Sequence, residues 1–236
     1  MSLKVGARHV DFVDINPRAA EFQRDNAVLN EFTLDQFTAM TDDVAHVALE
    51  EKCDVILTNP PFVPTPPGIK GTLTSNGGSE GNRFVDILLE RLPDFMNPEG
   101  TALLYVLQFI QGSEPLVMDH LSQRVKNRPI ELTPAQENLI SFESYAEAYL
   151  KLFPQATEEI GAWRSDLLRR WGHDLMLCHY VVDIGPESGD VTECVIRDNF
   201  AKKFGESFLV PSENEAELAF GRVCENFIPP RMETGD

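Results

Sequence analysis

The sequence lacks the features that mark membrane, secreted or disulfide-stapled proteins. Its 236 residues include only four cysteines, and no two of them form a Cys-x-x-Cys pair: Cys53, Cys178, Cys194 and Cys224. Scattered cysteines of this kind are typical of reduced thiols in a cytoplasmic protein. No apolar run approaches the roughly 20 residues of a membrane-spanning helix. The opening "MSLKVGARHV" also has no apolar core like that of a secretory signal. We therefore expect a cytoplasmic protein.

Basic residues are scarce as well. The chain has 20 Lys and Arg against 38 Asp and Glu, which gives a formal net charge of −18. Such a surface repels nucleic acid at long range and favours a protein or small-molecule partner, although a local basic patch would leave nucleic acid open. The five histidines include no His-x-His or His-x-x-x-His pair, so we expect no metal site.

The first half of the chain alternates strand and helix patterns. Strands are predicted over 9–15, 53–59 and 101–109, and helices over 16–30 and 79–96. Asn16 and Pro17 suit the N-cap and first position of a helix. This alternation predicts an α/β fold with a mostly parallel sheet, and ligands bind at the carboxyl ends of such strands. Asp14 and Asn59 end two of these strands, and the second is expected to be buried.

The second half differs in character. Residues 138–172 carry an aromatic stripe at helical spacing and predict a helical insertion. Two apolar runs on either side of "GPESGD", residues 185–190, predict a C-terminal antiparallel hairpin. A last helix is expected over 213–226. Because no Pro-, Gly- or Ser-rich linker interrupts the chain, residues 1–236 are interpreted as one domain.

Two motifs carry a family resemblance. "FVDINPRA", residues 12–19, is followed about 45 residues later by "DVILTNPPF", residues 54–62. Together they resemble class I S-adenosylmethionine-dependent methyltransferases, and more narrowly the group that methylates planar nitrogens. That group includes release-factor glutamine, adenine-N6 and guanine-N2 methyltransferases. The resemblance spans roughly residues 3–135 and the terminal hairpin, and it implies a Rossmann-like fold.

The Asn-Pro-Pro-Phe motif suits the chemistry of a flat nitrogen. The lone pair of a planar NH2 group is delocalised, so both N–H bonds must be oriented to aim it at a methyl donor. The Asn59 side-chain oxygen and the Pro60 carbonyl can accept these two bonds, and Phe62 can stack on the flat group. The alternative is an asparagine that caps a rigid loop beside a core phenylalanine. The glutamine enzymes mostly carry tyrosine where Phe62 stands, which leaves a nucleobase acceptor open.

The resemblance also implies residues that hold S-adenosylmethionine. Asp14 would bind the ribose hydroxyls with Ile15 beside it, Asp43 would lie near the adenine, and Asn59 would border the donor. Asp14 could instead cap the helix that follows it. Asp42 competes with Asp43, and a solvated loop at 41–43 is the plain alternative.

One expected part of the family pattern is missing. A strand with a glycine-rich loop should precede Asp14, yet only 13 residues do so. We therefore expect a chain truncated at its N-terminus, without the first strand and glycine loop, and with weak or no cofactor binding. A non-catalytic remnant or interaction module is the alternative to an enzyme. The glycine-rich segment 75–84 is interpreted either as a lid beside the substrate or as a simple loop.

Overall fold

The computed structural model describes residues 2–69, 75–135, 139–189 and 194–196. The strands are β1 (Val10–Asp14), β2 (Phe37–Thr41), β3 (Cys53–Thr58), β4 (Met96–Gln111), β5 (Glu114–Pro115), β6 (Ile130–Pro134), β7 (Ile140–Ser141), β8 (Met176–Ile184) and β9 (Cys194–Ile196). The helices are α1 (Pro17–Leu29), α2 (Arg83–Phe95), α3 (Val117–Arg124), α4 (Phe142–Leu152) and α5 (Thr157–Trp171), with short 3-10 turns at Ser2–Val5 and Pro154–Ala156. None of these helices is long and apolar enough to cross a membrane.

The chain forms two compact units. The first contains Met1–Asp54 and Ile87–Asn97, and the second contains Val55–Asp86 and Pro98–Asp236. The single-domain interpretation stays a prediction.

The first unit contains a parallel strand pair with a connecting helix. β1 pairs with β2 from Val10 opposite Phe37 to Asp14 opposite Thr41. Between them, α1 begins as predicted, because the Asn16 side chain accepts the Arg18 N–H at 3.1 Å and Pro17 occupies the first helical position.

The second unit holds most of a seven-stranded sheet with the order β3-β4-β8-β6-β9. β8 runs antiparallel to β4 and β6, and β6 runs parallel to β9. β4, β6 and β9 therefore share one direction and β8 is reversed, which confirms an α/β fold of the mostly parallel, Rossmann-like kind.

The predicted C-terminal hairpin is wrong in its pairing. β8 is antiparallel as expected, but within the described residues β9 pairs with β6, which lies between the two. After β8 the chain bonds to the segment that precedes β6, with Gly185 N–H donating to the Pro129 carbonyl at 2.9 Å and Ser188 N–H to Asn127 at 2.8 Å. Residues 190–193 and the predicted helix 213–226 lie outside the described residues.

The expectation that the strand ending at Asn59 is buried is also wrong. Val55 and Leu57 on β3 are 58% and 62% exposed. The reason is that β3 ends the strand order of its sheet, so neighbours cover it less than the central β4 and β8. Apolar composition alone does not distinguish an edge strand from a central one.

The helical character of residues 138–172 is confirmed by α4 and α5. Both helices pack on the sheet through an apolar core, whose buried members are Ile69, Leu107, Phe109, Phe142, Tyr145, Ala146, Tyr149, Ile160, Trp163, Leu167, Leu168, Leu175 and Leu177. Phe62 and Val63 pack against this core from the loop that follows β3. The insertion therefore borders the Asn-Pro-Pro-Phe motif.

Candidate functional site

The loop after β3 presents the motif with its amide outward. Asn59 is exposed, Pro60 and Phe62 are half-buried, and Pro64 is buried. Among the residues that the structure describes, the Asn59 side chain has no hydrogen-bond partner. Its amide is thus accessible to a ligand, while the loop that carries it is anchored from residue 62 onward.

Glycines of the segment 75–82 pack directly on this loop. A Cβ added to Gly81 would lie 2.4 Å from the Phe62 carbonyl oxygen, and one added to Gly77 would lie 2.8 Å from the Phe62 backbone. Gly81 also has a φ of +83°, which glycine adopts readily. Only residues without a side chain allow so close a backbone approach.

Hydrogen bonds join the same two segments. Val63 N–H donates to Ser75 at 2.8 Å, Gly77 N–H to Val63 at 3.0 Å, and Thr65 N–H to Gly78 at 2.8 Å. Residues 75–82 therefore form a fixed support for the loop, which favours the simple-loop interpretation over a lid.

The helical insertion braces the loop from the other side. The hydroxyls of Tyr145 and Tyr149 both donate to the Pro64 carbonyl, at 2.8 and 3.1 Å. The Trp163 indole N–H donates to the Ser79 carbonyl at 3.0 Å. The aromatic stripe of the sequence thus supplies hydrogen-bond donors as well as core volume, which the pattern alone did not indicate.

Two further rings surround Phe62. Its ring contacts Tyr105 at 5.5 Å and His179 at 5.8 Å between centroids, edge-to-face in both cases. Tyr105 and His179 stack on each other at 5.2 Å with an interplanar angle of 13°. Neither residue was predicted, because they lie on β4 and β8, far apart in sequence. The pairing of β4 with β8, which brings the two rings together, is set by the tertiary fold.

Among the described residues, His179 is a histidine with an unsatisfied buried ring nitrogen. Its Nδ1 is buried and has no hydrogen-bond partner among the described residues. Burial lowers the pKa of His179 from 6.5 to about 4, and burial raises the pKa of Tyr105. Both rings are therefore uncharged near neutral pH. In the sequence, the one indication that His179 is buried is its position within the apolar run that forms β8.

A polar chain lies behind the glycine segment. Gln108 Nε2 donates to Asn82 Oδ1 at 2.8 Å, and both side chains are buried. Asn82 Nδ2 lies 3.4 Å from His120 Nε2, and His120 Nδ1 lies 2.7 Å from Asp86 Oδ1. This series of side-chain contacts holds Asn82 in place, and Asn82 is the last residue of the segment 75–82 that supports the motif loop.

In the first unit, Asp14 lies at the end of β1. Its Oδ1 accepts the Asn16 N–H at 2.8 Å, and its carbonyl accepts the Asp42 N–H at 3.1 Å. This carboxylate oxygen holds the turn that leads into α1, whose N-cap is Asn16. The other carboxylate oxygen of Asp14 has no partner among the described residues and could accept a ribose hydroxyl. Ile15 beside it is 59% exposed.

Asp43 follows the adjacent strand end. Its Oδ1 accepts the Ala45 N–H at 2.9 Å, so this carboxylate shapes the loop 43–47. Arg91 holds the same loop by donating to the Ala45 and Val47 carbonyls at 2.6 and 2.7 Å. The parallel pairing of β1 and β2 brings the ends that carry Asp14 and Asp43 to one edge.

The predicted residues therefore form two groups. Asp14, Ile15 and Asp43 belong to the first compact unit, and Asn59, Pro60 and Phe62 belong to the second. Across the part of the chain that the structure describes, no group of three or more His, Cys, Asp or Glu side chains could hold a metal ion.

Comparison with protein families identifies a class for part of the chain. Residues 1–70 match the methyltransferase small domain. This segment includes both sequence motifs and the predicted residues Asp14, Asp43 and Asn59.

Two curated relatives are more specific. A Methanocaldococcus jannaschii protein, whose name describes a protein N5-glutamine methyltransferase, is 33% identical over 115 residues, covering 47% of this chain and 53% of the relative. The human methyltransferase HEMK2 is 33% identical over 110 residues, covering 43% and 48%. The chain thus spans about half the length of these relatives.

Among solved structures, an O-methyltransferase from a trans-AT PKS multienzyme of Brevibacillus brevis, in complex with S-adenosyl-L-homocysteine, is similar with a TM-score of 0.37. It is 14% identical, and the match covers 97% of this chain and 73% of that one.

Proposed function

We propose that this protein is an S-adenosylmethionine-dependent N-methyltransferase that acts on a planar amide nitrogen, with a glutamine side chain as the favoured acceptor. The observation that carries the proposal is the exposed Asn59 amide at the start of a loop braced on two sides, next to the Phe62 ring. The similarity to methyltransferase-named relatives favours an enzyme over a non-catalytic interaction module.

In this proposal the loop works by orientation. The Asn59 side-chain oxygen and the Pro60 carbonyl accept the two N–H bonds of the acceptor, and Phe62 stacks on its flat face. S-adenosylmethionine supplies, when bound, a methyl group activated by a sulfonium. Because orientation of reacting groups can lower a barrier by about 7–11 kcal/mol, a rigid loop suits the task, and the glycine support and the tyrosine brace provide the rigidity.

The carboxylates of the first unit suit the donor. Asp14 can accept ribose hydroxyls through its remaining carboxylate oxygen while the other holds the turn into α1. Asp43 sits at the neighbouring strand end, and Ile15 offers an exposed apolar side chain. This chemistry fits a nucleoside with two hydroxyls and a flat base.

Two considerations favour a protein acceptor. The Methanocaldococcus relative is named for protein glutamine methylation, and the net charge of −18 disfavours nucleic acid. Phe62 in place of the tyrosine expected in glutamine enzymes keeps a nucleobase acceptor as the competing outcome of the test.

The test is to incubate the full-length protein with S-adenosylmethionine and a glutamine-containing peptide, and to locate the added mass by fragment-ion mass spectrometry. We expect one methyl group on the glutamine side chain at donor concentrations high enough to offset the weak binding predicted from the sequence. Isothermal titration with S-adenosylmethionine measures that affinity. Asp14→Asn, which keeps the turn acceptor but loses the charge, should weaken donor affinity, while Asp25→Asn on the exposed face of α1 should not. Methylation of a nucleic-acid oligonucleotide and not of the peptide would contradict the glutamine assignment.

A further inference from the structure

We propose that Tyr105 and His179 are positioning residues for the acceptor: together with Phe62 they form a three-ring cluster that fixes the plane on which the flat acceptor group stacks. This inference rests on the proposed function and deepens it. It concerns residues of β4 and β8 that lie outside the Asn-Pro-Pro-Phe motif.

The sheet register places the two rings together. Tyr105 lies opposite Val181, and His179 lies opposite Leu107. In an antiparallel pair, side chains related in this diagonal way share one face and are within reach of each other. The two rings accordingly stack, with centroids 5.2 Å apart.

Phe62 stands nearly perpendicular to this stack. Its plane makes angles of 72° with Tyr105 and 84° with His179, at centroid distances of 5.5 and 5.8 Å. The edge-to-face contacts with the two parallel rings of Tyr105 and His179 restrict the tilt of the Phe62 ring. A fixed backbone at Phe62 would not restrict this tilt by itself. The backbone itself is held by Gly77 and Gly81, so both the position and the plane of the ring are determined.

A histidine is an unusual residue beside Tyr105 and Phe62, because one of its ring nitrogens is buried there. Its Nδ1 is buried without a partner among the described residues, and an unsatisfied buried polar atom costs free energy that an aliphatic side chain would avoid. A flat ring, however, stacks on Tyr105 as an aliphatic chain cannot. The burial that keeps His179 neutral, with a pKa of about 4, also keeps a charge out of the three-ring cluster. The geometry thus favours a requirement for a flat, neutral ring at position 179.

The first experiment compares His179→Phe with His179→Ala in the methyl-transfer assay. The phenylalanine keeps a neutral ring and should leave kcat/KM for the glutamine peptide within about threefold, whereas alanine should lower it roughly tenfold, because the Phe62 ring loses one of its two aromatic neighbours. The affinity for S-adenosylmethionine should be the same in both variants. Tyr105→Phe and Tyr105→Ala should form a parallel pair, and melting curves should show that all four variants fold.

The second experiment reads the Phe62 ring without any turnover. With 4-fluorophenylalanine at position 62 of the full-length protein, the ¹⁹F shift should be retained in His179→Phe and move toward the unfolded value in His179→Ala. If neither the ¹⁹F shift nor kcat/KM responds to His179→Ala, the positioning role proposed for His179 is contradicted. If the shift responds as expected but the wild-type protein transfers no methyl group, the ring arrangement is supported and the proposed function fails.

Discussion

At the scale of single residues, the motif loop depends on glycines that carry no chemistry themselves. Gly77 and Gly81 let the backbone of residues 75–82 lie against that of Phe62, at separations that leave no room for a Cβ. The reactive amide can be recognised from the sequence, because its residue type and proline neighbours are local. The need for these glycines depends on which backbone lies opposite them, and that is set by the fold.

Replacing Gly81 with alanine tests this close approach. The new Cβ would meet the Phe62 carbonyl oxygen at 2.4 Å, in a residue whose φ is +83°. Gly112→Ala is the matched control, because Gly112 also has a positive φ, +63°, but nothing within 4 Å of its added Cβ. We expect the control to lose about 1 kcal/mol of stability from backbone strain alone, and Gly81→Ala to lose more than about 2 kcal/mol. Equal losses in denaturant titrations would show that the contact is unimportant.

His179 gives a prediction about pH. Its pKa is about 4 in the folded protein against an ordinary value of 6.5, so between these values the unfolded chain binds more protons than the native state. Stability from burying the neutral ring is therefore complete above pH 6.5 and is lost as the pH falls toward 4. Melting temperatures of the wild-type protein should fall more steeply over this range than those of His179→Phe. Parallel curves would contradict the assigned state of the ring.

At the scale of elements, the helices α4 and α5 hold the motif loop in place, and the sequence predicted only part of this role. The aromatic spacing predicted helices with a buried face, and the structure confirms this. It did not indicate that two tyrosine hydroxyls converge on one carbonyl of the motif loop, because Pro64 lies 81 and 85 residues from them. The predicted pairing of the C-terminal hairpin was wrong for a similar reason. A turn-rich linker indicates that the chain reverses, but it does not indicate which strand the next strand pairs with.

Removing the two hydroxyls should reveal this shared acceptor. Tyr145→Phe or Tyr149→Phe alone leaves the Pro64 carbonyl with the other donor, so each should cost less than about 1 kcal/mol. The double variant leaves the buried carbonyl without both donors and should cost more than the sum of the two single variants. Hydrogen exchange at the Thr65 amide, which donates to Gly78, should accelerate chiefly in the double variant. Strictly additive changes would argue against a common brace.

At the scale of the whole molecule, the sequence predicted the α/β class and the strands that form β1, β3, β4 and β8, because strand and helix periodicities are local signals. The strands β2, β5, β6 and β7 were not predicted. The expected burial of the strand that ends at Asn59 was wrong, because β3 lies at the end of its sheet with Val55 and Leu57 exposed. Apolar composition alone could not show this, since edge and central strands share the same residue preferences.

The charge of the molecule predicts which acceptors it meets fastest. With a net charge of −18, the protein should favour glutamine peptides flanked by lysine or arginine over otherwise identical peptides flanked by glutamate. Raising the salt from 50 to 500 mM should shrink this difference in kcat/KM, because screening shortens the reach of surface charges. A preference for acidic peptides, or one that salt leaves unchanged, would contradict this expectation.

The proposed chemistry depends most directly on Asn59, and the decisive measurement is the rate of methyl transfer to a glutamine peptide by Asn59→Ala, at saturating donor. Asn26→Ala, an exposed change on α1, is the control. If the Asn59 oxygen orients the acceptor nitrogen, kcat should fall on the order of 100-fold, while stability and the rate of the control stay as in the wild-type protein. Unchanged turnover in Asn59→Ala would contradict the central claim.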